Sequence, residues 1–338
     1  MNIRKYLVRV LMAALIPASG MLSSCSLINE DLEECNQGVR LRFVYDYNME
    51  FANAFPSQVD CLTLLIYDKD GNFVGSRTAA APEISDENYR MNIDLPEGEY
   101  HFVAYGGMEC DKSSFHFTDD ASRSFPSKLE NLEVAMNQDC ITSPKGTELH
   151  KLFYGNLDVA VPADALDYTS ATLYMMRDTN EIKVLLQQIN GEPVDDSAFT
   201  YTITADNTLF NYKNDLVPVG STTFYPWTRG EIEIGENQFG DPTSVASAQF
   251  ALSRLTMTDN ITLTINLNKD GREVVRIPLI KYLIALRNEE YAYMGKQEYL
   301  DRENYWDLIF LLDSNYRWVK VSIIVNGSPV RVNDIEFN

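Results

Sequence analysis

The chain has 338 residues, with 28 Lys and Arg against 49 Asp and Glu, for a formal net charge of −21. Repulsion from phosphate and the lack of a basic stripe exclude nucleic acid as an expected partner. At 45% apolar and 23% charged, the composition excludes low-hydrophobicity disorder and supplies a sizeable core, and the length suits two domains.

Charge is uneven along the chain. The first 24 residues hold Arg4, Lys5 and Arg9 and no acid, so without them the net charge is −24. Those cations precede a short apolar run from Val10 to Leu22 that contains Pro17 and Gly20. This is the order of a secretory signal, and the run is too short and interrupted to span a bilayer comfortably. Leu22-Ser23-Ser24-Cys25 resembles a bacterial lipobox, in which small residues let a peptidase reach the bond and the thiol takes diacylglycerol. Residues 1–24 are therefore expected to be a lipoprotein signal peptide, with Cys25 as the lipidated first residue of the mature chain. Each buried acyl methylene contributes about 0.8 kcal/mol, so several chains on one cysteine hold a membrane where a single myristoyl does not. A plain secretory signal ending at a chance cysteine is the alternative. Residues 25–37 then form a lipidated acidic tether with Glu30, Asp31, Glu33 and Glu34. That tract resembles the surface-export signal of Bacteroidales lipoproteins, and a solvated tether looks the same.

Four further cysteines remain, Cys35, Cys61, Cys110 and Cys140. In an exported chain they permit two disulfides, and spacing does not choose among the pairings. No C-x-x-C pair is present, which argues against a zinc site or a dithiol redox centre. Free buried thiols are the alternative, notably for Cys61 in a strand-like run.

From residue 38 onward the dominant period is two. Val39, Leu41, Phe43, Tyr45 and Tyr47 alternate with Arg40, Arg42 and Asp46, and Leu62, Leu64 and Ile66 alternate with Thr63. The turn Asp68-Lys69-Asp70-Gly71-Asn72 reads as a hairpin whose Asp-Gly pair supplies positive φ. Tyr100, Phe102 and Ala104 follow the turn Pro96-Glu97-Gly98. Residues 108–146 form a long polar excursion with helical spacing at Leu129, Leu132 and Met136, pinned if Cys110 pairs with Cys140. Paired strands around Phe153 and Val159 end the first unit, and the break between domains 38–165 and 166–338 falls in Pro162–Thr169. Ile261, Leu263, Ile265 and Leu267 resume the alternation before a second hairpin at Asn268-Lys269-Asp270-Gly271. Residues 296–307 read as a short surface helix leading into a strand at Leu308–Leu312, and Val319, Val321, Ile323 and Val325 alternate with Lys320 and Ser322. The expected class is all-β: two tandem antiparallel β-sandwich domains with short helical insertions. No short sequence repeat relates the two halves.

Chemistry-bearing patterns are sparse. His101, His116 and His150 have no partner at metal-ligand spacing. The Asp68-x-Asp70-x-Asn72 triplet resembles the start of an EF-hand loop, but Phe73 stands where that loop needs Gly and Ala79 where it needs Glu. No G-x-S-x-G, P-loop or dinucleotide glycine pattern occurs. No catalytic, cofactor-binding or metal residue is nominated, and an enzyme is not expected. Tyr291, Tyr293, Tyr299, Tyr305 and Trp306 suit a glycan-stacking surface, but sandwich cores use Tyr and Trp just as heavily, and the core is the favoured reading. Asp196-Ser197-Ala198 resembles the short O-glycosylation signal of Bacteroidales exported proteins.

Several segments together carry a family resemblance. After the lipobox come Asp31-Leu32-Glu33-Glu34-Cys35 and Gly38-Val39-Arg40-Leu41-Arg42-Phe43-Val44-Tyr45-Asp46-Tyr47-Asn48-Met49. Further along stand Val59-Asp60-Cys61-Leu62-Thr63-Leu64-Leu65-Ile66-Tyr67-Asp68, Gln297-Glu298-Tyr299-Leu300-Asp301-Arg302-Glu303 and Val325-Asn326-Gly327-Ser328-Pro329-Val330-Arg331. The chain resembles the FimB-type minor fimbrial anchor subunits of the type V pili of Bacteroidales over nearly its whole length. The resemblance implies two transthyretin-like sandwiches in a surface-exposed protein, lipid-anchored to the outer membrane through Cys25, that anchors a fimbrium and influences its length. It implies a fimbrillin stalk subunit as partner, joined by β-augmentation. It also implies that the first strand, near Val39 to Tyr47, stays in place. The second domain is then expected to meet the stalk, with the C-terminal strand Val319–Asn338 as one candidate, and the sequence does not say which strand is donated. A surface glycan-binding or adhesin lipoprotein is the alternative.

Overall fold

The computed structural model describes residues 37–108, 112–118, 125–142, 145–236, 240, 242–285, 287, 291–325 and 328–331. Residues 1–36, which hold the expected signal peptide, Cys25 and most of the expected acidic tether, lie outside the described residues. In chain order the strands of the first part are β1 (Gly38–Val44), β2 (Cys61–Asp68), β3 (Phe73–Ala80), β4 (Met91–Asp94), β5 (Gly98–Gly106), β6 (Phe115–Phe117), β7 (Glu133–Met136), β8 (Phe153–Val161), β9 (Thr169–Tyr174) and β10 (Met176–Arg177). Then come β11 (Thr179–Gln188), β12 (Phe199–Ala205), β13 (Leu209–Asn211), β14 (Thr222–Phe224), β15 (Thr228–Glu236), β16 (Pro242–Ser253), β17 (Thr262–Leu267), β18 (Arg272–Pro278), β19 (Tyr305–Leu312), β20 (Trp318–Val325) and β21 (Ser328–Arg331).

Two sandwiches result. In the first, the sheet β4-β1-β9 faces the sheet β10-β8-β5-β2-β3. Val39, Leu41 and Phe43 of β1 pack with Leu62, Leu64, Ile66 and Phe102 in one core. Each fully buried side chain of this size contributes about 1.5–3 kcal/mol against exposure, so the alternation in β1 decides which face turns inward. In the second, β15-β16-β11-β19-β20-β21 faces β14-β12-β17-β18, and Ile182, Val184, Phe250, Leu308 and Phe310 meet Phe199, Ile203, Leu263 and Ile265. The all-β sandwich class expected from the two-residue period is therefore what forms.

Three expectations change. First, each sandwich contains a parallel pair, β1 with β9 and β11 with β19, so the sheets are mixed rather than antiparallel throughout. In both, the first strand lies between an antiparallel neighbour, β4 or β16, and the parallel one. The shared arrangement relates the two halves by architecture where no sequence repeat does. Secondly, β9 bonds to β1 and β10 to β8, which keeps Thr169–Arg177 in the first sandwich. The expected break between 165 and 166 moves to Asp178, immediately before β11. Gly155 allows the corner where β8 meets β9, because a Cβ there would stand 2.4 Å from the Tyr174 carbonyl oxygen.

Thirdly, the excursion at 108–146 is mostly extended. Leu129 opens a single 3₁₀ turn, Leu129–Asn131, Met136 lies in β7, and a short helix, Gln138–Thr142, follows. The sheet β13-β7-β6 covers the second face of β2 and β5. Phe115, Phe117, Val134 and Met136 pack there with Leu65, Tyr67, Val103 and Tyr105. Hence every residue from Cys61 to Tyr67 is buried, the near-continuous apolar run of a strand covered on both faces. Because β13 follows Asp178 in the chain, its pairing with β7, Phe210 opposite Val134, stitches the two sandwiches together.

Candidate functional site

The cysteines divide. Cys61 is disulfide-bonded, and its partner lies outside the described residues, as do Cys35 and Cys110. The chain returns to Cys61 at Met108, whose carbonyl oxygen is 2.9 Å from the Cys61 sulfur. Cys140 is a free thiol, which corrects the expected pinning of the excursion by a Cys110–Cys140 bond. Burial, with Asp139 beside it, pushes the Cys140 thiol up to about 11. The reactive thiolate is therefore scarce near neutral pH. Alkylation of the native, unreduced protein at pH 7.5 is expected to leave Cys61 unlabelled and to label Cys140 slowly, with a rate that rises steeply above pH 9. Mass mapping that finds Cys140 in a disulfide would contradict the assignment.

The other chemistry-bearing residues stay apart. His101 pairs with Asp158, His116 with Asn137 and His150 with Asp60, and no group of metal-ligating side chains gathers among the described residues. The Asp68 carboxylate accepts from the backbone N–H of Asp70 at 2.9 Å and of Asn72 at 2.8 Å, and Asn72 holds it below the usual carboxylate range. It is a turn acceptor, as the hairpin reading expects, and Gly71 supplies the φ of 71° that the turn needs. In Asp196-Ser197-Ala198, Asp196 is buried against Arg229, Nε to Oδ2 2.8 Å, while Ser197 is exposed.

The aromatic group is mainly core. Tyr299 and Trp306 are each 1% exposed, with rings edge to face at 5.5 Å, and Tyr291 stacks on Tyr299 at 5.4 Å. Tyr293 and Tyr305 are exposed, but Arg177 lies over the Tyr305 ring at 4.8 Å. No continuous stacking platform forms from these five residues.

Two of the resemblance-bearing segments, 38–49 and 297–303, meet at the junction between the sandwiches. The segment 297–303 forms most of a short helix, Lys296–Arg302, that buries Tyr299, Leu300 and Asp301, so it is not the surface helix expected. Asp301 takes a forked pair from Arg254, Nε to Oδ1 2.9 Å and Nη2 to Oδ2 3.0 Å, and a third bond from Gln297 at 2.9 Å. Such bidentate contacts fix geometry as well as charge. Arg302 crosses to the loop after β1: Nη1 donates to the carbonyl oxygens of Asp46 and Asn48, and its guanidinium lies 4.2 Å from the Tyr47 ring centre and 4.5 Å from that of Phe51. Tyr45 Oη donates to Asn304 Oδ1 at 3.0 Å across the same seam.

Asp178, where one sandwich gives way to the other, is fully buried. Its Oδ1 accepts from Asn214 Nδ2 at 2.9 Å, and Oδ2 has no hydrogen-bond partner among the described residues. Burial pushes this carboxyl up to about 7, against the pull of Arg254. Sequence reasoning missed Asp178 and Arg254. Their only signal is a charged residue inside or beside an apolar strand, and that does not reveal its partner.

Two features bear on how another molecule could meet this chain. β1 sits in place between β4 and β9, with Val39 and Leu41 fully buried. The six-stranded sheet ends at β15 and at β21, so the C-terminal hairpin forms one border of that sheet, while residues 332–338 lie outside the described residues. Among the described residues no helix is long and apolar enough to cross a membrane.

Comparison with known proteins is consistent with this arrangement. A candidate adhesin from Bacteroides thetaiotaomicron superimposes with a TM-score of 0.84 at 46% identity, covering 90% of this chain and 100% of that one. A candidate polysaccharide-binding protein from the same species gives 0.73 at 28% identity, covering 87% and 97%. The fimbrial anchor protein Mfa2 from Porphyromonas gingivalis shares the fold, with a TM-score of 0.66 at 17% identity, covering 88% and 99%. A search of curated proteins finds no match. The family model described as Mfa2, fimbrillin-A associated anchor proteins Mfa1 and Mfa2, matches residues 32–334. The chain therefore belongs to the family of fimbrillin-A associated anchor proteins.

Proposed function

We propose that this protein is an outer-membrane lipoprotein, held by lipid on Cys25, that anchors the base of a type V fimbrium and limits its length. The observation that carries the reading is the family match over residues 32–334, joined to the lipobox that precedes it. A tether of residues 25–37 reaches at most about 45 Å when extended, at roughly 3.5 Å per residue. That length keeps the first sandwich near the membrane while the net charge of −24 without the signal keeps its surface solvated and away from anionic headgroups. A retained β1 leaves no vacant groove in the first sandwich, so growth ends there and the stalk is met by the second sandwich. The role needs no catalytic group.

The glycan-binding alternative rests on the description of one relative and would need exposed aromatics beside polar groups. Tyr299 and Trp306 are buried and Arg177 occupies one face of the exposed Tyr305 ring, so these rings form no continuous platform and the anchor reading is preferred. Affinity purification of the tagged chain from outer membranes of its producing bacterium is expected to bring a fimbrillin stalk subunit with it. Recovery of the chain without any fimbrillin, together with polysaccharide binding by the purified ectodomain, would reverse the preference.

A further inference from the structure

Among the described residues β15 is the longest unpaired sheet edge in the second sandwich. It covers Thr228–Glu236 and pairs only with β16 among the described residues. Its central residues Glu231, Ile232, Glu233 and Ile234 are all exposed. A Cβ added at Gly230 or Gly235 would meet nothing within 4 Å among the described residues, so the faces of the strand at these two positions are open there. Ile232 lies opposite Val245 of β16. Both turn to the face away from the core, where the half-buried side chains of Leu185, Ile309 and Leu311 continue an apolar strip across β11 and β19.

Edge strands are normally blunted with charge, brevity, a bulge or a covering segment, and the bulge of β15 lies toward its C-terminal end, between Glu233 and Gly235, leaving Thr228–Glu233 in regular register with β16. Here the charge and the apolar side chain separate ahead of the bulge that shifts the register between Glu233 and Gly235: Glu231 and Glu233, opposite Ala246 and Ser244, turn to one face and Ile232, opposite Val245, to the other. Neither glutamate has an ion-pair partner among the described residues, whereas Arg229 at the start of the strand is already taken by Asp196. A second copy of this edge is a poor occupant. Antiparallel self-pairing centred on Ile232 sets Glu231 against Glu233, and centring on Glu233 sets that residue against itself, and like charges directly opposite are destabilising.

The geometry points to β15 as the docking edge for a strand of the fimbrial stalk subunit whose residues alternate between apolar and basic. Apolar side chains of that strand extend the strip at Ile232, its Lys or Arg side chains meet Glu231 and Glu233, and main-chain bonds to the edge supply affinity. This assignment rests on the anchor reading and adds to it the surface used and the character of the partner.

The test uses the tagged full-length lipoprotein in a piliated producing strain, with stalk subunit captured per chain as the readout. The double variant Ile232→Arg/Ile234→Arg is expected to lower capture about tenfold or more, and Glu231→Lys/Glu233→Lys to lower it comparably. Both should retain the wild-type thermal midpoint and outer-membrane level, since all four side chains are exposed. Wild-type capture should fall as salt is raised. Wild-type capture by both variants overturns the docking edge while leaving the anchor reading intact. Formation of a dimer through β15, detected by sedimentation and lost in the isoleucine variant, also overturns it. Failure of the wild-type chain itself to capture any stalk subunit overturns both.

Discussion

Replacing Asp301 with alanine is expected to lower the stability of the folded chain by about 3–5 kcal/mol, the usual cost of removing one partner from a buried ion pair. The Asp301 side chain is 6% exposed and that of Arg254 is 17% exposed. Arg254 also donates through Nη1 to the carbonyl oxygen of Asn214 at 2.8 Å, so the guanidinium cannot swing out to water without breaking a second contact. Without Asp301 it stays among backbone, Asp178 and Asp215, with the fork at Nε and Nη2 unfilled. Gln297 loses its bond to Oδ1 at the same time. The loss should appear as a lowered urea midpoint. The double change Arg254→Met/Asp301→Leu should recover much of it, because an apolar pair of similar volume leaves no uncompensated charge. A loss below about 1 kcal/mol in the single variant would class the pair with exposed salt bridges and contradict its role as the clamp of the junction.

The Asp178→Asn variant is expected to gain stability over the parent as pH rises, by at most about 4 kcal/mol at pH 8. The folded chain holds this carboxyl up to about 7, from an ordinary value of 3.8. Between those values the folded state keeps a proton that the unfolded state has released, so stability falls with rising pH across that window and levels off above it. Arg254 opposes the shift, Asp301 adds to it, and Asn214 supplies the one hydrogen bond. Asparagine keeps the shape and the acceptor for Asn214 but has no charge to desolvate. The two proteins should therefore match near pH 4 and diverge through neutrality in paired urea titrations. Parallel stability profiles would show that Asp178 ionises in the fold without penalty.

Local pattern revealed most of the strands and little of their pairing. Alternation at Val39 to Phe43 and at Leu263 to Leu267 marks β1 and β17 because one face of each strand is apolar. The parallel partner of β1 is reached only by closure over 130 residues, from Val39 to Thr169, and nothing local to Thr169–Tyr174 says that it lies parallel to β1 and in the first sandwich. The same limit applied to the excursion. Leu129, Leu132 and Met136 fit a helical spacing, yet β7 is extended because Val134 and Met136 find an apolar sheet face to cover. At the junction, the segment 297–303 stood out as a resemblance without a physical reason. The structure supplies one in Arg302 on the loop after β1 and Asp301 on Arg254. The lipidation proposed at Cys25 rests on the sequence alone, since a lipobox acts as an unfolded peptide in a peptidase.

The most direct test of anchoring is the distribution of pili between cells and medium after Cys25→Ala in the producing bacterium. The account predicts that fimbriae assemble and are shed into the medium, with the variant chain released from the outer membrane. Pili that remain cell-bound at wild-type levels in that variant would contradict it.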